Sequence, residues 1–292
     1  MRLFTTLITI ISGAIFTQSA VANPDVTSRE YKLLLNPMLF SYQTEANQVS
    51  SYFSAAKIGI EQAISRSVTG SLSLNKIRTV KFFDTVNTCQ LQQIGYVFRE
   101  RIENGNSEVT LKFRSPDRYI ADFEDLTSPT NGAETKLEAD VSATSNDTFK
   151  VVYSHSTKTP NTRIINNFKD INTHFSGFKT NYGFSDSTPL SQISNLTIHE
   201  QVYKGAEIDL GSYDAKLSVT LWYAGTPSAH SIPLVAEASF KYEDPSADYS
   251  KKVVLRAKQA FESMLALTSW NAINGTTKTQ TVYQYSNGFC TQ

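Results

Sequence analysis

The chain has 292 residues, 40% of them hydrophobic and 11% aromatic, with 27 Lys+Arg against 27 Asp+Glu. That supplies a sizeable core for one large domain or two small ones and excludes global disorder. The formal net charge of +0 excludes a general nucleic-acid coat and a strong binder of anionic membrane surfaces, so any anion site must come from local sorting of charge.

The first residues read as a secretory signal. Arg2 is the basic region, residues 3–16 are mostly apolar, and Ala20-Val21-Ala22 is a small-x-small cleavage site. The apolar run is too short and too diluted by Thr and Ser for a good membrane span. The expected organisation is a signal peptide over 1–22 and a single domain over 23–292, exported to a periplasm or beyond the cell.

"SREYKLLL" (28–35) reads as the first strand. A helix follows within 41–65, with Val49, Tyr52, Phe53, Ala56, Ile60 and Ile64 on one face. Strands come next at 79–85, 95–102 and 107–114, the last two joined at Asn104-Gly105, a strong hairpin signal. Further strands are expected at 134–142 and 148–156. Residues 161–195 differ: "RIINNFKDINTHFSGF" suggests a short helix, and Thr188-Pro189 is a possible start of another. Strands resume at 196–205, 205–211, 215–224 and 233–243. A last helix runs from about Asp248, with Val253, Val254, Ala257, Ala260, Phe261, Met264 and Leu265 as its apolar stripe. The whole reads as one α+β domain with a large antiparallel sheet.

The strands alternate. Val109, Leu111 and Phe113 oppose Thr110, Lys112 and Arg114; Leu217, Val219 and Leu221 oppose Lys216, Ser218 and Thr220. Such alternation ordinarily means apolar in and polar out. Helices with apolar stripes are available to cover the apolar face instead, which leaves open a sheet with its charged face inward. Two cysteines in an exported chain suggest one disulfide, Cys89 to Cys290. His155, His174, His199 and His230 are scattered and form no metal motif.

One block carries a resemblance: "KFFDTVNTCQLQQIGYVFRERIENGNSEVTLK" (81–112). Its Phe82-Phe83-Asp84-Thr85, Leu91, Gly95, Arg99-Glu100-Arg101 and Val109-Thr110-Leu111-Lys112 are similar to the pattern of the CYTH, or triphosphate tunnel metalloenzyme, superfamily. The family's opening Glu-x-Glu-x-Lys is matched by Ser28-Arg29-Glu30-Tyr31-Lys32, with Ser28 in place of the first glutamate. Glu138 and Asp140 match the family's acidic pair, and Glu237 its late glutamate. The resemblance runs from about residue 28 to 243.

The resemblance implies an eight-stranded antiparallel barrel around a hydrophilic tunnel, with flanking helices. It implies Lys32, Arg99, Arg101, Lys112, Arg114, Lys136 and Lys241 as ligands of a triphosphate. It implies Glu30, Glu138, Asp140 and Glu237 as ligands of Mg²⁺ or Mn²⁺. The residue types suit this, since guanidinium forks take phosphate oxygens in pairs and hard cations prefer oxygen ligands. Phosphoryl transfer asks mainly for positioning and charge stabilisation, so few His and Cys are needed. The expected function is an exported metal-dependent phosphohydrolase acting on tripolyphosphate or another triphosphate. The alternative is a non-catalytic barrel that binds a small phosphate-containing anion. Neither reading involves nucleic acid or membrane.

Overall fold

The structure is a computed structural model that describes residues 25–143, 149–272 and 275–290. The expected signal peptide over 1–22 lies outside the described residues.

Strand β1 (Ser28–Leu35) buries Tyr31, Leu33 and Leu35 on one side and turns Glu30 and Lys32 to the other. Helix α1 (Glu45–Ile64) presents the expected stripe, with Val49, Tyr52 and Ile60 fully buried. Strand β2 (Val68–Asp84), the short helix α2 (Gln90–Gln93), and strands β3 (Tyr96–Glu103) and β4 (Asn106–Ser115) follow. Asn104 and Gly105 both take positive φ, 52° and 79°, the backbone that a tight two-residue hairpin requires. Then come α3 (Arg118–Phe123), β5 (Glu134–Ala143), β6 (Phe149–Pro160), α4 (Phe168–His174), α5 (Ser176–Tyr182) and the two-residue β7 (Ser191–Gln192). The chain ends through β8 (Ile198–Asp209), β9 (Asp214–Ala224), β10 (Val235–Glu243), α6 (Lys251–Leu265) and α7 (Lys278–Gln284).

Ten strands form one sheet in the order β3-β4-β6-β5-β1-β10-β9-β8-β2-β7, and β2 also pairs with β3. The expected eight-stranded antiparallel barrel is overturned by this count and by one parallel pairing, β1 with β5. The sheet is therefore mixed. Parallel neighbours need a long crossover, and here α1 with β2 to β4 intervenes between β1 and β5. Alternation along a strand records which face a residue takes. It carries no record of which strand lies next door.

Several boundaries also differ. β2 starts at Val68, eleven residues before the expected strand, because its first part is polar and exposed yet pairs with β8. The two strands expected at 196–211 are one strand with a register shift between Lys204 and Ala206. Gly205 sits in that bulge at φ 119°, and a Cβ on the facing Gly70 would lie 2.0 Å from its carbonyl oxygen. Thr188-Pro189 starts no helix; Pro189 bridges to Asn167 instead. Helix α7 had no counterpart in the expectations.

Helices cover the apolar face. Tyr31, Val219, Ala238 and Phe240 pack with α1 and with Ala257, Phe261 and Met264 of α6. Phe98, Leu111 and Phe113 pack with Phe168 and Ile171 of α4, Phe178 of α5 and Phe175 between the two helices. The charged residues of the same strands are thus left on the face away from these helices. Among the described residues no helix is long and apolar enough to cross a membrane.

Candidate functional site

Register assembles the charged face. Arg101 stands opposite Val80 and Arg99 opposite Phe82 across β2–β3. Arg78 lies opposite Glu200 across β2–β8, and Lys112 and Arg114 alternate with Leu111 and Phe113 on β4. Four guanidinium groups, Arg78, Arg99, Arg101 and Arg114, share one region, and the Glu200 carboxylate pairs with two of them. Its oxygens lie 2.8 Å from Arg78 Nε and accept from Arg101 Nη2 at 3.2 Å and from the Trp222 indole N–H at 2.8 Å. Burial would raise the Glu200 carboxyl, but Arg101, Arg78 and Lys278 together hold it well below the carboxylate range.

Arg99 is different. It donates to the Thr110 hydroxyl at 3.3 Å, and among the described residues it forms no ion pair. Burial, then the neighbouring Arg101, pulls its guanidinium well below the ordinary arginine value, with Arg78 and Arg114 adding to the repulsion and Glu200 opposing it. Arg114 donates to the Thr279 hydroxyl at 3.2 Å; it too forms no close ion pair among the described residues, though its charge acts on Asp140.

The adjoining region holds lysines and carboxylates in near balance. β1 runs between β5 and β10, so Glu30 stands opposite Asp140 on one side and Lys241 on the other. Lys32 Nζ lies 2.9 Å from Glu30 and 2.8 Å from Asp140. Asp140 also accepts from Ser154 at 2.7 Å and faces Lys112 at 3.5 Å. Burial would raise its carboxyl, but Lys112, Lys32 and Arg114 hold it far below the usual range. Lys112 is pulled down to about 8, chiefly by burial; Asp140 opposes this, while Lys32 and Arg114 add to it.

Helix α7 lies across one end of the charged face. Lys278 Nζ lies 2.8 Å from Glu237 and 5.3 Å from the centre of the Trp222 ring. Asp84 fixes this helix and α2 together. Its buried carboxylate accepts from the backbone N–H groups of Thr85, Leu91 and Gln92 and from the Tyr283 hydroxyl at 2.8 Å. Cys89 and Cys290 are disulfide-bonded, their Cα atoms 5.6 Å apart.

The expected anion ligands Lys32, Arg99, Arg101, Lys112 and Arg114 are brought onto one face. Lys241 stands beside them, paired with Glu138 at 3.7 Å and Glu243 at 3.1 Å. Lys136 is not part of the group: it lies at the rim against Glu243, its side chain 42% exposed. Arg78, Glu200 and Lys278 were not foreseen. Arg78 shares a face with Val80 and Phe82, and Glu200 with Ile198 and Val202, so period two alone sets both among apolar residues and does not mark them. Nothing local marks Lys278, which reaches the face only through the docking of α7.

The expectation of a metal centre is corrected. A divalent ion needs several oxygen ligands with free lone pairs. Glu30 and Asp140 instead flank Lys32, Glu138 faces Lys112 and Lys241, and Glu237 holds Lys278. Among the described residues no group of three or more His, Cys, Asp or Glu is placed to hold a metal ion. The lysine ammonium groups already neutralise Glu30, Glu138, Asp140 and Glu237, and this donor set does not fit Mg²⁺ or Mn²⁺.

No family model matches the sequence, and no curated protein does. Three solved structures are similar to the chain at low identity. A candidate adenylyl cyclase from Hippeastrum, described as having a dominant triphosphatase activity, is 12% identical with a TM-score of 0.42, over 89% of this chain and 95% of its own. A candidate adenylate cyclase from Bacillus halodurans is 12% identical with a TM-score of 0.37, over 87% and 97%. The PH1819 protein from Pyrococcus horikoshii is 10% identical with a TM-score of 0.38, over 89% and 99%. The reading of the site rests on this chain's own residues.

Proposed function

We propose that this chain binds a compact polyanion of the oligophosphate class on its charged face. The observation that carries the reading is Arg99, a half-buried guanidinium among three others that forms no ion pair among the described residues. Partial desolvation and like-charge repulsion both penalise an unneutralised guanidinium, so a protein gains little from keeping one without an anionic partner. Guanidinium forks match phosphate oxygens in pairs, and Lys112 adds a point charge beside them. The carboxylates of the adjoining region are held by lysines. Export is part of the proposal: the Cys89–Cys290 bond suits an oxidising compartment.

The test is calorimetric titration of the oxidised protein, from Asn23 onward, with tripolyphosphate, orthophosphate and sulfate. Phosphate release is followed in parallel, with Mg²⁺, Mn²⁺ or chelator. Saturable binding of tripolyphosphate in chelator, stronger than that of sulfate, supports the reading. No binding, or phosphate release that requires added metal, overturns it.

A further inference from the structure

We propose that the Cys89–Cys290 disulfide is a latch that holds α7 across the charged face, so that its oxidation state sets anion affinity. The inference rests on the anion-binding reading above. Helix α7 has only seven residues, and isolated helices below about 12–15 residues are marginal in water. Its start is capped by its own Thr277 and Gln280, which fixes its shape but does not attach it to the domain. Attachment comes from Val282 and Tyr283 packed beside Phe82 and Trp222, from the Tyr283–Asp84 hydrogen bond, and from the disulfide a few residues beyond. The Asn87 N–H also donates to the Phe289 carbonyl at 2.7 Å, next to that bond. Covalent attachment keeps the segment at high effective concentration over its docking site.

Charge gives the direction of the effect. Residues 277 to 290 carry one cation, Lys278, and no carboxylate side chain. While docked, Lys278 neutralises Glu237 and Thr279 accepts from Arg114. Once undocked, Glu237 stands unneutralised on the face and water reaches Trp222 and Arg114, so the face attracts an anion less. Opening the latch is a two-electron reduction by a dithiol. The dithiol's two thiol protons and two electrons pass to Cys89 and Cys290, which become thiols, and the dithiol closes into its own disulfide.

Two measurements test this. Limited trypsin digestion reads cleavage after Lys278 by mass spectrometry and needs no ligand. Slow cleavage in the oxidised protein and fast cleavage after dithiothreitol are expected; equal rates overturn the latch. Tripolyphosphate titration compares the oxidised protein with the reduced protein and with Lys278→Ala, which keeps the disulfide. Affinity weaker by about three- to fivefold in both is expected, the scale of one partly exposed charge pair. Binding of equal strength in all three overturns the inference and leaves the anion-binding reading intact. No binding by the oxidised protein sinks that reading, and with it the affinity half of this proposal. Circular dichroism of the reduced protein separates tail release from global unfolding.

Discussion

Arg101 and Glu200, 99 residues apart in sequence, meet at 3.2 Å on the charged face. Glu200 pairs with two of the four guanidinium groups there, Arg78 and Arg101, and its side chain is 1% exposed. Breaking a buried pair from one side leaves the other charge uncompensated, at about 3–5 kcal/mol. Glu200→Gln is therefore expected to destabilise the protein on that scale in urea denaturation. Tripolyphosphate should restore more stability to this variant than to the parent, because it supplies the missing negative charge. Equal stabilisation of both proteins by the ligand would contradict the placement.

Arg99→Ala tests the opposite sign. Its guanidinium is repelled by Arg101, Arg78 and Arg114, so its removal relieves strain in the unliganded protein. The melting temperature without ligand is expected to hold or rise. Tripolyphosphate affinity is expected to fall by about tenfold or more, as hydrogen bonds to charged groups are worth ~1.5–3 kcal/mol. A large loss of unliganded stability with unchanged affinity would assign Arg99 to the fold and remove it from the site.

Lys112 gives a pH dependence. The folded lysine titrates at about 8, below its ordinary value near ~10.4. Between those values the unfolded chain binds more protons, so this group's contribution to stability rises with pH across that window and is flat below it. Anion binding favours the charged form. Affinity should therefore decline as pH rises above about 8 in the parent, and Lys112→Met should flatten that decline. Titrations from pH 7 to 10 with both proteins settle the point.

Metal addition and removal should leave stability unchanged. Glu30 and Asp140 are engaged by Lys32, and Glu237 by Lys278. A melting temperature that is the same in chelator and in millimolar Mg²⁺ or Mn²⁺ is the expected result. A rise of several degrees with either ion, abolished in Glu138→Ala, would reinstate the carboxylates as metal ligands.

The sequence was most legible where a periodicity maps onto a single element. The period of two in β4 separates Leu111 and Phe113 from Lys112 and Arg114, and the structure keeps that separation. The helical period of α1 and α6 likewise names their buried stripes. Positive φ at Asn104 and Gly105 follows from residue chemistry, because Gly adopts it at no steric cost and Asn tolerates it. The candidate anion ligands Lys32, Arg99, Arg101 and Lys112 could be named from strand faces and the ordered motif.

Tertiary structure decided the rest. Strand order and the parallel β1–β5 pairing depend on chain crossings, about which alternation is silent. Whether Glu30 and Asp140 await a metal ion or already hold an ammonium depends on Lys32 lying within 3 Å of both. The balance around Arg99 depends on Arg78 and Glu200, which come from β2 and β8. Lys278 reaches Glu237 only because Tyr283 docks on Asp84 and Cys290 bonds Cys89. The amino-acid sequence by itself determined which residues are charged, which face each takes and where the chain turns, because these follow from local sterics and period. Only the tertiary structure decided which charges neutralise one another, because Coulomb energy depends on distance through space and on burial, and neither is written along the chain.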